Sequence, residues 1–266
     1  MIDLLQYEFM RNALIAGLLA SVGCGVVGSY IVIKRAVFIS DGVAHASFGG
    51  VGLGYLLGVN PVLGALAFAV ISALGIGIVA RRVGKREDTA IGILMAFGMA
   101  VGIIFIGLAP GYAPDLMSFL FGNILTVPRS DLVLMVVLDV VVVGFVIGFY
   151  KEFLAITFDE EFAEIAGVPV NRLYMLLLCL TALTVVMLMR IVGIILLVAL
   201  LTIPAAISIQ FTHRLSSIML LSIGLAAGFS VGGLWVSYVF DIASGATIVV
   251  LSVIVFFVAS LSRKIR

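Results

Sequence analysis

Gly193-Ile194-Ile195-Leu196-Leu197-Val198-Ala199-Leu200-Leu201-Thr202-Ile203-Pro204-Ala205-Ala206 is apolar without alternation, and that continuity decides the fold class. A transmembrane barrel needs segments of about ten residues whose side chains alternate between lipid and a polar lumen. This run does not alternate, and it extends into an apolar segment near 191–211, the length of a membrane-spanning helix. In hydrocarbon every backbone N–H and C=O must be satisfied within the chain, which such a run achieves as a helix.

The rest of the chain repeats the pattern. Of 266 residues, 64% are apolar and 11% charged, with a mean hydropathy of +1.35. A soluble domain is about 45–50% apolar and about 25% charged, so this chain has too little polar surface to cover itself in water. Helical spans are expected near 11–33, 42–58, 61–80, 89–108, 131–150, 172–189, 191–211, 216–239 and 245–261. The fold class is therefore an all-α polytopic membrane protein of eight to nine transmembrane helices. It reads as a single transmembrane domain over 1–266. The uncertain join is Arg190-Ile191-Val192-Gly193, where two spans meet with almost no connector.

Basic residues give the orientation. Lys34, Arg35, Arg81, Arg82, Lys85, Arg86, Lys151, Arg172, Arg214, Arg263, Lys264 and Arg266 fall on one side, against Arg11, Arg129 and Arg190 on the other. The richer side is cytoplasmic by the positive-inside rule, which puts the N-terminus outside. The first apolar run lacks a basic leader and a cleavage signal, so it reads as a retained helix. A net charge of +1 and the absence of a basic cluster give no footing for nucleic acid. Cys24 and Cys179 lie within spans and define no disulfide framework. No phosphate-binding loop is present, because the glycine runs lie in apolar helices rather than after a strand. Energy for work must come from a partner or an ion gradient.

Against this background the stretch Ser40-Asp41-Gly42-Val43-Ala44-His45-Ala46-Ser47 stands out. Asp41 and His45 are one helical turn apart and share a face. Carboxylate and neutral imidazole are ligands for zinc, manganese or ferrous iron, and two of them suit a transient site or one completed by a second copy. The competing reading is a structural pair near the inner interface. Asp139 sits mid-span, where a charge costs at least about 2.5–3.5 kcal/mol, unless it is protonated or Arg129 or Arg190 pairs with it. Asp241 reads as a turn residue or as an acid that attracts cations at a pathway mouth. Pro204 bends its helix, as packing or as pathway lining. His213 reads as solvated.

Two connectors differ in kind. Residues 109–130 carry Pro110 and Pro114 and an aromatic run, expected at the outer interface or as a docking surface. Residues 151–172 carry Asp159-Glu160-Glu161-Phe162-Ala163-Glu164-Ile165-Ala166-Gly167-Val168-Pro169, a short acidic helix with a glycine and proline stop. It reads either as a solvated connector or as a coupling helix that fits a groove on an intracellular protein.

Taken together, these segments resemble the membrane permease subunit of zinc/manganese/iron ABC importers, over nearly the whole chain. Asp41 to Ser47 is similar to that family's Asp-x-x-x-His-Ala segment, and Gly193 to Ala206 to its Val-Gly-x-Leu-Leu…Pro-Ala-Ala stretch. Ser118-Phe119-Leu120-Phe121-Gly122-Asn123 and Ser237-Tyr238…Asp241…Gly245 also fit. Glu161-Phe162-Ala163 followed by Gly167 resembles the Glu-Ala-Ala-x-x-x-Gly core of ABC coupling helices, departing at Phe162 and lacking the motif's later proline.

The resemblance implies a homodimeric permease in a prokaryotic cytoplasmic membrane, without catalysis of its own. It implies cytoplasmic ABC ATPase subunits docked on the segment around Glu161, Ala163 and Gly167, and an extracytoplasmic protein delivering the metal. Asp41 and His45 would line the path of the transported divalent ion, with no permanently bound cofactor. The alternatives are an ABC permease for a metal chelate or vitamin, or an ion-coupled secondary transporter using Asp139.

Overall fold

A computed structural model describes residues 6–83, 87–110, 122 and 124–264. Among them are ten α-helices, a 3-10 turn at Ile124–Thr126, and no strand. The helices are α1 (Glu8–Ile33), α2 (Val37–Leu57), α3 (Pro61–Val83), α4 (Glu87–Leu108), α5 (Arg129–Gly148), α6 (Tyr150–Phe158), α7 (Glu160–Ile165), α8 (Val170–Phe211), α9 (Leu215–Phe240) and α10 (Ser244–Lys264). Among the described residues eight segments are long and apolar enough to cross a membrane: α1, α3, α4, α5, both halves of α8, α9 and α10. The ninth expected span, α2, is also 21 residues long, but Asp41, His45 and five glycines dilute its apolar character.

The expected helix boundaries shift where short-range geometry overrides hydropathy. Helix α2 starts at Val37 rather than 42, so Asp41 lies inside the helix. The turn out of α1 is tight: Arg35 takes a left-handed conformation at φ 57° while its N–H bonds the Val32 carbonyl. That leaves Val37, Phe38 and Ile39 free to begin the next helix at once. The Arg190–Gly193 join is a helix interruption. In α8 the residue with non-helical backbone is Gly193, at φ 75° and ψ 166°, a region open to glycine and costly for other residues. A side chain on Gly122 would collide with the backbone of Val192 and Gly193, so the interruption is closely packed. Helical backbone continues through the buried Pro204, whose carbonyl accepts from the Ser208 hydroxyl at 2.8 Å.

The chain divides into two compact units. One contains α1, the 3-10 turn, α5, the second half of α8, α9 and α10. Within it α1 is central: its buried residues run from Met10 to Ile31, and it packs on α5 and α9. Gly28 abuts the Leu201 backbone and Gly25 abuts Ile223. Polar contacts join the remaining helices, with Ser222 donating to Ser208 at 3.0 Å and Gln210 to Ser260 at 3.2 Å. Such bonds hold helices together in lipid, where association gains little from the hydrophobic effect.

The other unit contains α2, α3, α4, α6, α7 and the first half of α8. Here α2 is central and packs on both α3 and α4. Gly50 faces the Gly64 backbone and Gly54 faces Pro61, so α3 runs antiparallel to α2. Gly42 faces Ile91 and Gly52 faces Gly102, so α4 runs parallel to it. The acidic connector folds as α6 and α7, divided by Asp159. The Asp159 carboxylate accepts the Phe162 N–H at 2.9 Å, capping α7. Helix α7 stops where Gly167 turns left-handed at φ 80°, with the Val168 N–H on the Ala163 carbonyl at 3.0 Å.

The backbone contact between Gly50 and Gly64 yields a test of this packing. Gly50→Ala places a methyl group against the Gly64 carbonyl and should destabilise the protein by about 1–3 kcal/mol, as overpacking does. Gly92 has nothing within 4 Å of a built Cβ, so Gly92→Ala should be neutral or stabilise by up to about 1 kcal/mol through helix propensity. Thermal unfolding in detergent measures both.

Candidate functional site

Between residues 39 and 52 of α2, every residue is buried except Asp41 and His45. Packing, with α3 and α4 among the neighbours, buries the rest of this stretch and leaves one narrow accessible stripe. On it the His45 side chain is 17% exposed and the Asp41 side chain 31%. The one-turn spacing brings the Asp41 carboxylate to 3.3 Å from His45 Nδ1. That nitrogen also lies 3.0 Å from the Asp41 backbone carbonyl, which can only accept. Nδ1 therefore carries the hydrogen, and in the neutral ring the lone pair sits on Nε2. Backbone and carboxylate together orient the ring, as outer partners commonly orient a metal-binding imidazole.

The pair lies toward one end of its unit. Gly42 meets Ile91 one turn into α4, and the antiparallel α3 finishes at that end, with Arg81 in its last turn. This agrees with the charge distribution, which puts the start of α2 and the end of α3 on the same side. Among the described residues no group of three or more His, Cys, Asp or Glu side chains is placed to hold a metal ion. Two donors per chain are what α2 offers.

The other singled-out residues sit apart in the fold. Asp139 is buried, on a stripe of α5 with Asp131, Met135, Val142 and Val146. Neither of its carboxylate oxygens has a hydrogen-bond partner among the described residues. Arg129, one expected partner, pairs instead with Glu8 at 2.9 Å, and the Arg190 side chain lies outside the described residues. Asp241 is an exposed helix end at φ 51° whose N–H bonds the Ser237 carbonyl, the conformation of a turn. His213 is exposed between α8 and α9. The run Ser118–Asn123 lies outside the described residues apart from Gly122, as does most of the outer connector after Pro110. In α7, Ala163 is buried, while Phe162 and Ile165 are 64% and 86% exposed.

One constellation escaped the sequence reading. Arg81 Nη1 is 2.9 Å from Glu160 Oε2, and the guanidinium carbon lies 4.5 Å from the centroid of the Tyr174 ring. No local pattern announces it, because its members come from α3, α7 and α8. The surplus of basic residues near 81–86 was the available signal, and it was used for orientation alone.

Comparison with known proteins supplies the family. The model of the ABC 3 transport family matches residues 6–263. An uncharacterized membrane protein of Synechocystis is 48% identical over 264 residues, spanning 99% of this chain and 94% of that protein. The manganese transport system membrane protein MntC of Listeria monocytogenes is 39% identical over 258 residues, spanning 97% of this chain and 92% of its own length. Among solved structures, PsaBC of Streptococcus pneumoniae in complex with Fab superposes with a TM-score of 0.87 at 36% identity. That match covers 97% of this chain and 93% of the other. With its helices, its two-donor stripe and these matches in hand, the chain belongs to the ABC 3 transport family and has the all-α, multi-pass membrane fold of an ABC importer permease.

Proposed function

We propose that this chain is the permease subunit of an ATP-driven importer of a divalent transition metal, with Asp41 and His45 as ligands along the ion's path. The observation that carries the reading is the accessible stripe of α2, where burial spares only an acid and an imidazole. Carboxylate and imidazole suit manganese, zinc and ferrous iron alike. Manganese is favoured because relatives similar over nearly the full chain are named for manganese transport. Two donors bind weakly enough to release the ion. A second copy of the chain would bring two more, as expected for a homodimer in the cytoplasmic membrane. The chain has no catalytic role in this scheme. ATP hydrolysis belongs to a separate cytoplasmic subunit, and an extracytoplasmic binding protein hands over the metal.

Helix α7 fits the docking role. It is short, acidic and capped at both ends, and it holds Phe162 and Ile165 exposed where a connector would bury them or carry polar residues. Glu161, Ala163 and Gly167 mark its coupling motif, with Ala163 packed inward as its anchor. Exposed apolar side chains on a rigid polar helix match an apolar groove on the ATPase subunit.

A second reading, an ion-coupled transporter, draws on Asp139, which is buried and has no hydrogen-bond partner among the described residues. Its discriminator is direct. Uptake by the chain alone in proteoliposomes, following a proton gradient without ATPase or ATP and lost in Asp139→Asn, would replace the ABC reading.

In the complex reconstituted with its ATPase, Asp41→Ala and His45→Ala should each reduce uptake of radioactive manganese to background while the ATPase still co-purifies. Normal uptake in either would remove the pair from the mechanism. Gly167→Pro should abolish co-purification of the ATPase, since the proline ring holds φ near −65° and this residue needs +80°. Undiminished co-purification would count against α7 as the docking site.

A further inference from the structure

We propose that Arg81 is the positioning residue through which a movement of α7 reaches the helix that carries Asp41 and His45, an inference that rests on the permease reading. Three elements converge on its guanidinium. Arg81 lies in the last turn of α3, Glu160 is the first residue of α7, and Tyr174 belongs to the first half of α8. The ion pair is 2.9 Å long and the cation sits 4.5 Å from the ring centroid. A guanidinium can stack on an aromatic face and offer in-plane N–H groups to a carboxylate together, which an ammonium cannot reproduce. Its charge also suits the C-terminal end of α3.

The stabilising worth of this pair is small. Both side chains are about one-third exposed, 31% for Arg81 and 35% for Glu160, and solvent screens such a pair so that it adds little to stability. Its geometry is better suited to transmission. Gly77, one turn before Arg81 on the same face of α3, lets Leu178 and Met175 of α8 press onto the α3 backbone. Helix α3 is thus seated on α8 and pinned to α7 at one end. Along its other half it meets α2 backbone to backbone, through Gly64 on Gly50 and Pro61 on Gly54. No flexible side chain lies at those contacts to absorb a shift. Packed elements of this kind respond as rigid pieces sliding on one another. Displacement of α7 by the ATPase would pull on Glu160, carry Arg81 and α3, and move α2 with its two donors.

The test reads coupling rather than stability. In proteoliposomes containing this chain with its ATPase, ATP hydrolysis and uptake of radioactive manganese are measured in the same vesicles. Arg81→Ala should retain co-purification of the ATPase, its hydrolysis and the melting temperature, while ATP consumed per ion imported rises about tenfold, within the range for residues along a coupling network. Glu160→Gln and Arg81→Lys, which leave the fold least disturbed, should raise the ratio in the same direction. A wild-type ratio in Arg81→Ala would overturn the inference. Should that variant fail to fold, wild-type ratios in both Glu160→Gln and Arg81→Lys would overturn it equally. Absence of ATP-dependent uptake by the wild-type complex would instead overturn the permease reading, and this inference with it.

Discussion

The close approach of α2 to its neighbours is the constraint on which the second unit depends. Gly50 and Gly64 meet through their backbones, and Gly52 meets Gly102 in the same way. Helices in lipid gain little from hiding apolar surface from each other, so they hold together by close van der Waals packing and need small residues to achieve it. Five glycines in α2 supply that fit. They also lower its apolar character, which explains why this largely buried helix is not among the eight described segments most readily identified as spans. A helix enclosed by protein on most of its surface does not need to be strongly apolar itself.

The same packing creates the site. Once α3 and α4 cover α2, the remaining surface between 39 and 52 is the stripe bearing Asp41 and His45. Had either neighbour approached on that face, the pair would have been buried as a structural contact. The hydrogen bond from His45 Nδ1 to the Asp41 carbonyl then leaves the lone pair of a neutral ring on Nε2. Local helix geometry thus sets the spacing and tautomer of the donors, and packing sets their access. Asp139 shows the opposite balance: packing buries it, and no partner among the described residues offsets the cost of a charge there.

Glycine appears in a different role where the chain must turn. Gly167 ends α7, and Gly193 interrupts α8, each with positive φ. Both stops fall beside features the sequence announces, a proline at 169 and a nearly absent connector at 190–193. Pro204, by contrast, draws attention in the sequence yet sits in continuous helix. Proline removes one backbone bond, whereas a positive φ inverts the local handedness of the backbone and so breaks the helical geometry itself.

By itself the sequence determined that this chain belongs in lipid, where its long apolar helices fall to within a few residues, and that Asp41 and His45 share one helix face. It also determined that the acidic helix stops at Gly167. These are properties of composition, of 3.6-residue periodicity and of local stop chemistry, all read from neighbours along the chain. Only the tertiary structure decided that Asp41 and His45 alone stay accessible on the central stretch of α2. It alone decided that Arg129 answers Glu8 rather than Asp139, and that Arg81, Glu160 and Tyr174 meet. Those outcomes depend on which faces of separate helices come together, and residues some eighty positions apart leave no local pattern from which their meeting can be read.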